Sequence, residues 1–335
     1  MPLGFANRVF HFANGNIEYL LGKLDRITRT FGHEASMPQV SGYFETETLP
    51  PEDARRMTMK PRIRSRIAAA VFASMTLLLS LSLVLTPARS AQKPSLLYAT
   101  AEAGTKLIAI SLEARRVRVI GDTDFPFSLA LAPCPPGGVR YTITNTFDPN
   151  KAQLATLNLG TGAATLVGSP LGQVLSIMGM TCSPDGTLYA IGQFNSTDPA
   201  FNSLYTVNRE TGLASRIGST GVLDPSDPSG FSGFLMALAF APDGTLYGAN
   251  SASTLFRVNT ATGEATKVVD LVHSASARPL VGVMGLAIDN DGNFYLSDFV
   301  PVSSIYALNV ATGVATPILN TGLPFVHNIA FKGPR

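Results

Sequence analysis

Hydrophobic and polar positions between residues 96 and 331 follow a four-part pattern that recurs along the chain. Each part is a short run rich in β-branched, aromatic and aliphatic side chains, and Gly, Pro, Asn or Asp separates it from the next. Such runs predict short β-strands joined by tight turns. In the third complete copy the predicted strands are Met236–Ala241, Leu246–Asn250, Leu255–Asn259 and Ala265–Val269.

Two recurring marks fix the period of this pattern. Thr-Gly pairs begin at Thr161, Thr211, Thr262 and Thr312, at steps of 50, 51 and 50 residues. A tyrosine occupies the same place in the second strand of each unit, at Tyr98, Tyr141, Tyr189, Tyr247 and Tyr295. A fixed period of this size indicates a repeat architecture, and tandem four-stranded antiparallel units are typical of β-propeller blades. The tyrosines are therefore interpreted as core residues of the repeat.

The copies at the two ends are incomplete and complementary. The pattern begins with a second strand near Leu96 and ends with an unpaired first strand, 327–331. We therefore predict an all-β fold, a five-bladed β-propeller of four-stranded antiparallel blades, in which N-terminal strands 95–121 pair with the C-terminal strand 327–331. This joint closes the ring and removes an open sheet edge. First strands near residues 129, 180, 238, 286 and 329 give the count of five.

Two of the repeated phrases carry a resemblance to known families. Leu238-Ala-Phe-Ala-Pro-Asp-Gly-Thr-Leu-Tyr247 and Leu204-Tyr-Thr-Val-Asn-Arg-Glu-Thr-Gly212 resemble the recurring lines of the bacterial NHL, YVTN and gluconolactonase-type propellers. The resemblance covers residues 95–331 and implies the propeller fold. These families include enzymes, redox subunits and binding domains, so the resemblance does not select a function.

Charge excludes one class of partner. From Gln92 onward the chain has 14 Lys and Arg against 16 Asp and Glu, a net charge of −2. A near-neutral, slightly acidic domain lacks the basic surface that nucleic acids require, so we expect no nucleic-acid partner.

The basic residues are concentrated before the propeller. Lys60, Arg62, Arg64 and Arg66 precede an uncharged run at 67–85 and a stretch of small residues, which together indicate a secretory signal peptide at 57–91. The same run is long enough to be an uncleaved inner-membrane anchor, the only membrane contact we expect. Both interpretations export the propeller, 92–335, to the periplasm or the outside of the cell. Residues 1–56 are interpreted as a misassigned start, with Met57 or Met59 as the true one, or as a disordered cytoplasmic tail.

Two cysteines, Cys134 and Cys182, lie in the exported part. The repeat alignment places Cys182 at a strand position shared with Leu131, and Cys134 three residues beyond that position in the previous copy. We expect two free, buried thiols, and a disulfide between adjacent repeats is the alternative.

Loop length points to one face as the binding surface. In a four-stranded meander the first and third turns lie on one face, and here they are tight Pro-Asp-Gly and Thr-Gly turns. The second turns and the links between blades vary in length and lie on the other face, which we call the long-loop face. Long loops on a rigid scaffold are where binding usually occurs. The predicted surface comprises Asn145–Lys151, Gln193–Asn202, Gly218–Gly233, Asp270–Leu280 and Phe299–Ser303.

Acidic and aromatic side chains alternate in these loops. The predicted face carries Asp122, Asp124, Asp148, Asp198, Asp224, Asp227, Asp270 and Asp298, with Phe194, Phe201, Phe231 and Phe299 between them. A cation or carbohydrate site is one interpretation, and solvated loop carboxylates are the other. No cofactor is required by the sequence. Asp289-Asn-Asp-Gly292 resembles the start of a calcium loop but lacks the later glycine and glutamate, so it is better explained as the turn of its repeat.

Alignment of the first strands predicts what surrounds the ring axis. Phe127, Met178, Met236, Met284 and His327 form one row, and Ser128, Gly179, Ala237, Gly285 and Asn328 form the next. The first row is interpreted mainly as packing between blades. His327 and Asn328 are polar where the other blades are apolar or small, and Asn250 and Asp298 end equivalent second strands. These four residues, with Asn145 and Phe299 in the loops, are the candidate ligand-binding set, and Asn250 and Asp298 are the candidate metal ligands.

The sequence favours a non-catalytic function. It has no Gly-x-Ser-x-Gly elbow, no Cys-His pair and no histidine cluster with metal spacing. We expect an exported, monomeric propeller that binds a protein, a glycan or a small molecule through the long-loop face. The alternative is a metal-assisted lactonase or lyase with Asn250, Asp298 and His327 near the axis.

Overall fold

The described part of the chain is a five-bladed β-propeller. The computed structural model describes residues 96–331, except 136–137, 149, 172–176, 193–201, 223–232 and 281. All of them belong to the second of two units, Met1–Gln92 and Lys93–Arg335, into which the chain divides. Within these ranges no helix is long and apolar enough to cross a membrane. The expectations for 1–56, 57–91 and the 67–85 segment lie outside the described residues.

The described strands follow the predicted order along the chain. The first three are β1 (Leu96–Ala101), β2 (Lys106–Ser111) and β3 (Arg116–Asp122). Blade one contains β4 (Ala132–Cys134), β5 (Val139–Thr144), β6 (Gln153–Leu157) and β7 (Ala164–Pro170). Blade two contains β8 (Ile177–Cys182), β9 (Leu188–Gly192), β10 (Ser203–Val207) and β11 (Ala214–Ser219). Blade three contains β12 (Leu235–Phe240), β13 (Leu246–Asn250), β14 (Thr254–Val258) and β15 (Ala265–Asp270).

Blade four and the closing blade complete the ring. After β16 (Val272–His273), blade four contains β17 (Val283–Ile288), β18 (Phe294–Asp298), β19 (Ser304–Asn309) and β20 (Val314–Asn320), and the last strand is β21 (His327–Phe331). The closing blade has the strand order β21-β1-β2-β3. Leu97 pairs with Phe331 and Tyr98 with Ala330, antiparallel. The predicted closure of the ring by strands from both ends is confirmed.

Burial decreases from the axis to the rim of each blade, and the residue pattern follows it. Every residue of the inner strand β8 is buried, whereas β7 at the rim has only intermediate and exposed positions. An inner strand is covered on both faces by its neighbours, so it is a nearly continuous apolar run. The rim strands face solvent on one side, which explains the Arg and Ser residues of β3 and β11.

The Thr-Gly turns have a second function that the sequence pattern did not indicate. They contact the preceding blade, where each fourth strand carries a β-bulge against the third. A Cβ atom on Gly121 would lie 1.9 Å from the Thr161 carbonyl oxygen, and one on Gly218 would lie 2.0 Å from that of Thr262. These glycines therefore allow backbone to pack directly on backbone between blades.

Blade one departs from the predicted register. Its inner strand β4 pairs Ala132 with Tyr141, whereas β8 pairs Thr181 with Tyr189. Ala132 is thus the equivalent of Thr181, and the predicted alignment through Leu131 was wrong by two residues. Two prolines that flank Cys134 shorten this strand and hide the repeat pattern.

The corrected register changes the interpretation of the cysteines. Cys134 and Cys182 end the inner strands of adjacent blades, their Cα atoms are 5.1 Å apart, and the two residues form a disulfide. The expectation of two free thiols was wrong because it rested on the shifted alignment. The bridge joins residues 48 positions apart and covalently links blade one to blade two.

Blade four has a fifth strand that the sequence did not predict. The first part of the following link, 271–280, folds back at the rim, where β16 pairs in parallel with β20 through Val272–Val314 and His273–Ala315. A bridge from Val272 to Pro279 closes this short excursion. The rim edge of blade four is therefore covered, which reduces its exposure to edge-to-edge pairing.

A buried arginine fills the seam between the closing blade and blade one. Arg140 on β5 is almost inaccessible, and its guanidinium lies 5.9 Å from the ring centre of Tyr98 on β1. Its Nη1 donates to the Gly138 carbonyl oxygen. Burial lowers the pKa of this guanidinium. The cation–π contact ties the seam where the ring closes.

The backbone contact between blades makes a steric prediction. Gly121→Ala should lower the free energy of unfolding by about 1–3 kcal/mol, because the new Cβ would overlap the Thr161 carbonyl. Chemical denaturation of both proteins measures this difference. Gly160→Ala is the matched control, since a Cβ there meets only the Asn158 side chain at 3.2 Å. Equal losses in the two variants would contradict the close-packing explanation.

Candidate functional site

On the long-loop face, hydrogen bonds join blade links to the second turns of their own blades, and we call this edge of the propeller the rim. A threonine that follows the fourth strand makes the connection in three blades. Thr123 Oγ1 donates to the Gly104 carbonyl (2.8 Å), Thr220 Oγ1 to that of Asn202 (2.8 Å), and Thr321 Oγ1 to that of Ser303 (2.6 Å). These threonines are buried, so each link is fixed to the second turn of its own blade. The rim thus holds the described parts of the loops in place.

Phenylalanine rings from several blades surround the mouth of the ring on this face. Phe127 and Phe147 meet edge to face with ring centres 5.1 Å apart, and Phe299 and Phe325 stack at 4.5 Å. Phe127 and Phe299 also pack against a buried cluster at the axis, to which Phe234 belongs. Phe147 remains 38% exposed. The mouth is therefore an aromatic surface that is partly open to solvent.

Beneath these rings, three methionines lie at equivalent positions around the axis. Met178, Met236 and Met284 each sit at a register shift near the start of an inner strand. All three are buried and belong to one cluster with Leu129, although they come from different blades. The corrected register puts Leu129, not Phe127, in this row and Ala130, not Ser128, in the next. The residues from the other four blades occupy the positions that were predicted for them in both rows.

His327 occupies the fifth position of the methionine row. Its side chain is only 4% exposed, its ring centre lies 5.1 Å from that of Phe299, and its Nδ1 has no hydrogen-bond partner among the described residues. Burial lowers the pKa of His327 to about 4. The imidazole is therefore neutral at physiological pH.

Asn328 closes the axis below His327. Its Nδ2 donates to the carbonyl oxygen of Met178, which belongs to blade two. The closing blade and blade two are not neighbours in the ring, so this bond crosses the axis. Asn328 also has a positive φ of 35°, which asparagine tolerates better than most residues. Of the polar pair predicted at the axis, Asn328 therefore makes a structural hydrogen bond. His327 Nδ1 has no hydrogen-bond partner among the described residues.

Asn250 and Asp298 are equivalent, as predicted, but each braces the loop that follows it. Asn250 Oδ1 accepts from the Thr254 amide at 2.7 Å, and its Nδ2 donates to the Gly233 carbonyl at 3.3 Å. Asp298 Oδ1 accepts from the Ser304 amide at 2.6 Å. The side-chain oxygens proposed as metal ligands therefore already serve loop amides. Across the described ranges, no group of three or more His, Cys, Asp or Glu side chains is placed to hold a metal.

Asp298 also joins a buried tyrosine that sequence reasoning missed. Tyr306 donates from its hydroxyl to Asp298 Oδ2 at 2.6 Å, and its ring meets that of His273 edge to face at 5.8 Å. Burial raises the pKa of Asp298, although the hydrogen bonds from Tyr306 and Ser304 oppose this shift. Burial, followed by the bond to Asp298, raises the pKa of Tyr306. Tyr306 occupies an ordinary strand position, so no sequence signal distinguished it.

Asn145 shapes the second turn of blade one. Its φ is 52°, its amide donates to the Pro126 carbonyl at 2.9 Å, and its Nδ2 lies 3.5 Å from Thr144 Oγ1. The residue positions Phe147 two residues later, beside Phe127. Asn145 and Phe299 are thus both at the mouth, as predicted, whereas Asn250 and Asp298 lie under the loops.

Ion pairs reduce the acidic character expected for this face. Lys106 pairs with Asp122, Lys151 with Asp148 at 3.2 Å, and Lys267 with Asp270 at 2.7 Å. The hydrogen bond from Lys267 lowers the pKa of Asp270. In the candidate calcium turn, Asp289 Oδ1 accepts from the amides of Asp291 and Asn293, which explains this sequence as a turn. The predicted Phe194, Phe201, Phe231, Asp198, Asp224 and Asp227 lie outside the described residues.

Comparison with known proteins finds no family for this chain and only distant structural likeness. No protein-family model matches the sequence, and no curated protein is significantly similar to it. Solved structures similar to this chain are β-propeller proteins. They include a Bacteroides thetaiotaomicron protein of unknown function (15% identity, TM-score 0.45, covering 70% of this chain and 61% of that one). This chain thus spans less than two thirds of that protein.

Two further similar structures carry unrelated descriptions. One is a putative 6-phosphogluconolactonase from Bacteroides fragilis, with 15% identity, a TM-score of 0.41, and coverage of 72% of this chain and 99% of the other. The other is a nidogen/laminin complex, with 12% identity, a TM-score of 0.44, and coverage of 72% and 98%. At these identities the likeness concerns the fold alone.

The buried tyrosine–aspartate pair gives a stability prediction. Tyr306→Phe should lower the free energy of unfolding by about 1–3 kcal/mol, because Asp298 Oδ2 loses its buried donor. Thermal and chemical denaturation measure the change. Tyr295→Phe is the matched control, since its hydroxyl makes only a 3.4 Å contact with Asp289 in a half-buried position. A loss in the control as large as that in Tyr306→Phe would contradict this account.

The neutral His327 gives a pH prediction. Above pH 6.5 the histidine is neutral in both the folded and unfolded states, so it contributes no pH dependence. Between pH 6.5 and about 4 the unfolded chain binds a proton that the folded state excludes, and the free energy of unfolding should fall by up to about 3 kcal/mol. The difference between unfolding curves of wild type and His327→Leu isolates this contribution. Parallel pH profiles for the two proteins would show that His327 titrates normally.

Proposed function

We propose that this protein is an exported, non-catalytic β-propeller that binds a protein, a glycan or a small molecule at the mouth of its long-loop face. The observation that carries the proposal is the aromatic mouth formed by Phe127, Phe147, Phe299 and Phe325. Aromatic rings on a rigid rim supply large apolar contact area with little loss of side-chain freedom. Val302, which is 44% exposed, lies on the same face in the second turn of blade four.

The difference between the two faces supports the choice of surface. On the opposite face each Thr-Gly turn is capped by an asparagine whose Oδ1 accepts amides two and three residues later, at Asn158, Asn208, Asn259 and Asn309. Those turns are nearly identical from blade to blade and are occupied by structural contacts. The loops that differ in length and sequence between blades, which can set binding specificity, lie on the long-loop face.

The arrangement of polar groups favours binding over catalysis. A metal-assisted lactonase or lyase, the alternative, would use Asn250, Asp298 and His327 together. Asn250 and Asp298 instead accept hydrogen bonds from their own loops, and His327 lies in an apolar row. The hydroxyl that lies beside Asp298, that of Tyr306, already donates its proton to the carboxylate in a buried hydrogen bond.

Two features support export. A basic stretch followed by the uncharged 67–85 run has the composition of a signal segment, whether cleaved or retained as an anchor. The Cys134–Cys182 disulfide is of a kind that persists in oxidising compartments such as the periplasm. We propose a monomer, since the binding mouth is complete within one ring.

A paired substitution tests the binding surface. Ligand-observed NMR and glycan arrays with the full-length protein should identify binders whose affinity falls about tenfold or more in Phe147→Ser. Leu213→Ser is the matched control, because Leu213 is 51% exposed on the opposite face and its loss should leave binding unchanged. Binders that respond to Leu213→Ser and not to Phe147→Ser would overturn the choice of face. Lactone hydrolysis that is abolished by chelation would favour the enzymatic alternative.

A further inference from the structure

The propeller axis brings together an unusual set of side chains in one layer. Met178, Met236 and Met284 come from three blades and meet in a single buried cluster. His327 occupies the equivalent position in the closing blade, and Leu129 occupies it in blade one. The layer thus contains three thioethers, one imidazole and no carboxylate.

The imidazole in this layer lacks a partner. His327 is buried, its Nδ1 accepts no hydrogen bond from the described residues, and an apolar side chain stands at this position in each of the other blades. Buried polar atoms are normally satisfied, and an exception calls for an explanation such as a bound ion. Packing alone accounts for the methionines but gives no reason for a histidine.

We propose that the axial layer binds one soft monovalent cation, copper(I), through the thioether sulfurs of Met178, Met236 and Met284 and the Nδ1 atom of His327. Thioethers select Cu(I) among biological metals, and imidazole is also a common copper ligand. Hard cations such as Ca²⁺ require oxygen ligands, which this layer lacks.

The charge and enclosure of the layer suit this ion. All four ligands are neutral, so a single positive charge is less costly to bury here than a divalent one. Binding needs no redox step and releases no proton, because His327 already presents a lone pair. Phe127, Phe234 and Phe299 pack against the layer on the mouth side, and Asn328 spans the axis beneath it. These groups restrict the access of water and oxidants to the ion.

This copper site is independent of the proposed ligand at the mouth. The mouth proposal depends on the exposed Phe147, whereas the copper proposal depends on side chains in the buried layer below. Either can fail while the other holds, and the variants that test them are different.

Competition with a Cu(I) chelator tests the site directly. Anaerobic titration of the full-length, disulfide-bonded protein with Cu(I) and bathocuproine disulfonate should show one tightly bound ion per chain. Met236→Leu, Met284→Leu and His327→Leu should each weaken binding by about tenfold or more, at nearly unchanged side-chain volume for the methionines. The proposal would be overturned if the protein bound no stoichiometric Cu(I). It would also be overturned if the double variant Met236→Leu/Met284→Leu bound Cu(I) as tightly as the wild type.

Two control variants separate this site from other methionines. Met180 lies two residues after Met178 on β8 but is buried in the core between blades, so Met180→Leu should bind Cu(I) as the wild type does. Met57→Leu/Met59→Leu removes a pair of methionines before the propeller and should likewise leave binding unchanged. Loss of binding in either control would place the ion elsewhere and refute the assignment.

A measurement on the wild-type protein tests the site even if the variants do not fold. The methyl resonances of ¹³C-labelled methionines can be followed while Ag(I), a redox-inert analogue of Cu(I), is added. The three axial methionines should shift together and saturate at one equivalent, and Met180 should stay unchanged. Shifts confined to the other methionines would contradict the axial site.

Discussion

Crowding of backbone at the five-fold axis is the constraint on which the rest of this structure depends. A Cβ on Gly179 would lie 2.9 Å from the Ala237 Cα atom, and one on Gly285 would lie 3.0 Å from the Ile329 amide nitrogen. The inner strands therefore touch, and this level admits almost no side chain. Register shifts at the start of β8, β12 and β17 place the larger methionines one level nearer the mouth. The same crowding explains why Asn328 can reach a carbonyl two blades away.

The repeat made most of the fold predictable, because period, turn chemistry and complementary ends all point to one closed ring. Prediction failed where the repeat is weakest. Pro133 and Pro135 interrupt the first strand of blade one, so hydrophobic pattern alone placed it two residues early and separated the cysteines. Gly121, Gly168 and Gly218 recur in the fourth strands, but glycine is common throughout a turn-rich chain, so the sequence did not reveal that they are contacts between blades.

The candidate site was predictable in part, for a different reason. Departures from the repeat drew attention to His327 and Asn328, because a polar residue in an apolar row is visible in any alignment. The two residues lie at the axis, and their role in ligand binding stays a prediction. Asn250 and Asp298 were equally visible, but polar side chains at strand ends first satisfy the amides of the next loop. Phe325 lies two residues before His327, as Phe127 lies two residues before Leu129, and both have a positive φ, but this equivalence is visible only in the corrected register. Only the folded chain shows that Phe147 packs beside Phe127 at the mouth.

The strand that closes the ring is the last described strand of the chain, and it carries both His327 and Asn328. Assembly of the axis therefore cannot precede joining of the two ends. A nascent chain that has reached blade four already has its disulfide partners and three methionines, yet its centre is still an open horseshoe without the imidazole. Closure and completion of the axial layer are a single event, so only a chain that has been synthesised through β21 can carry a finished centre.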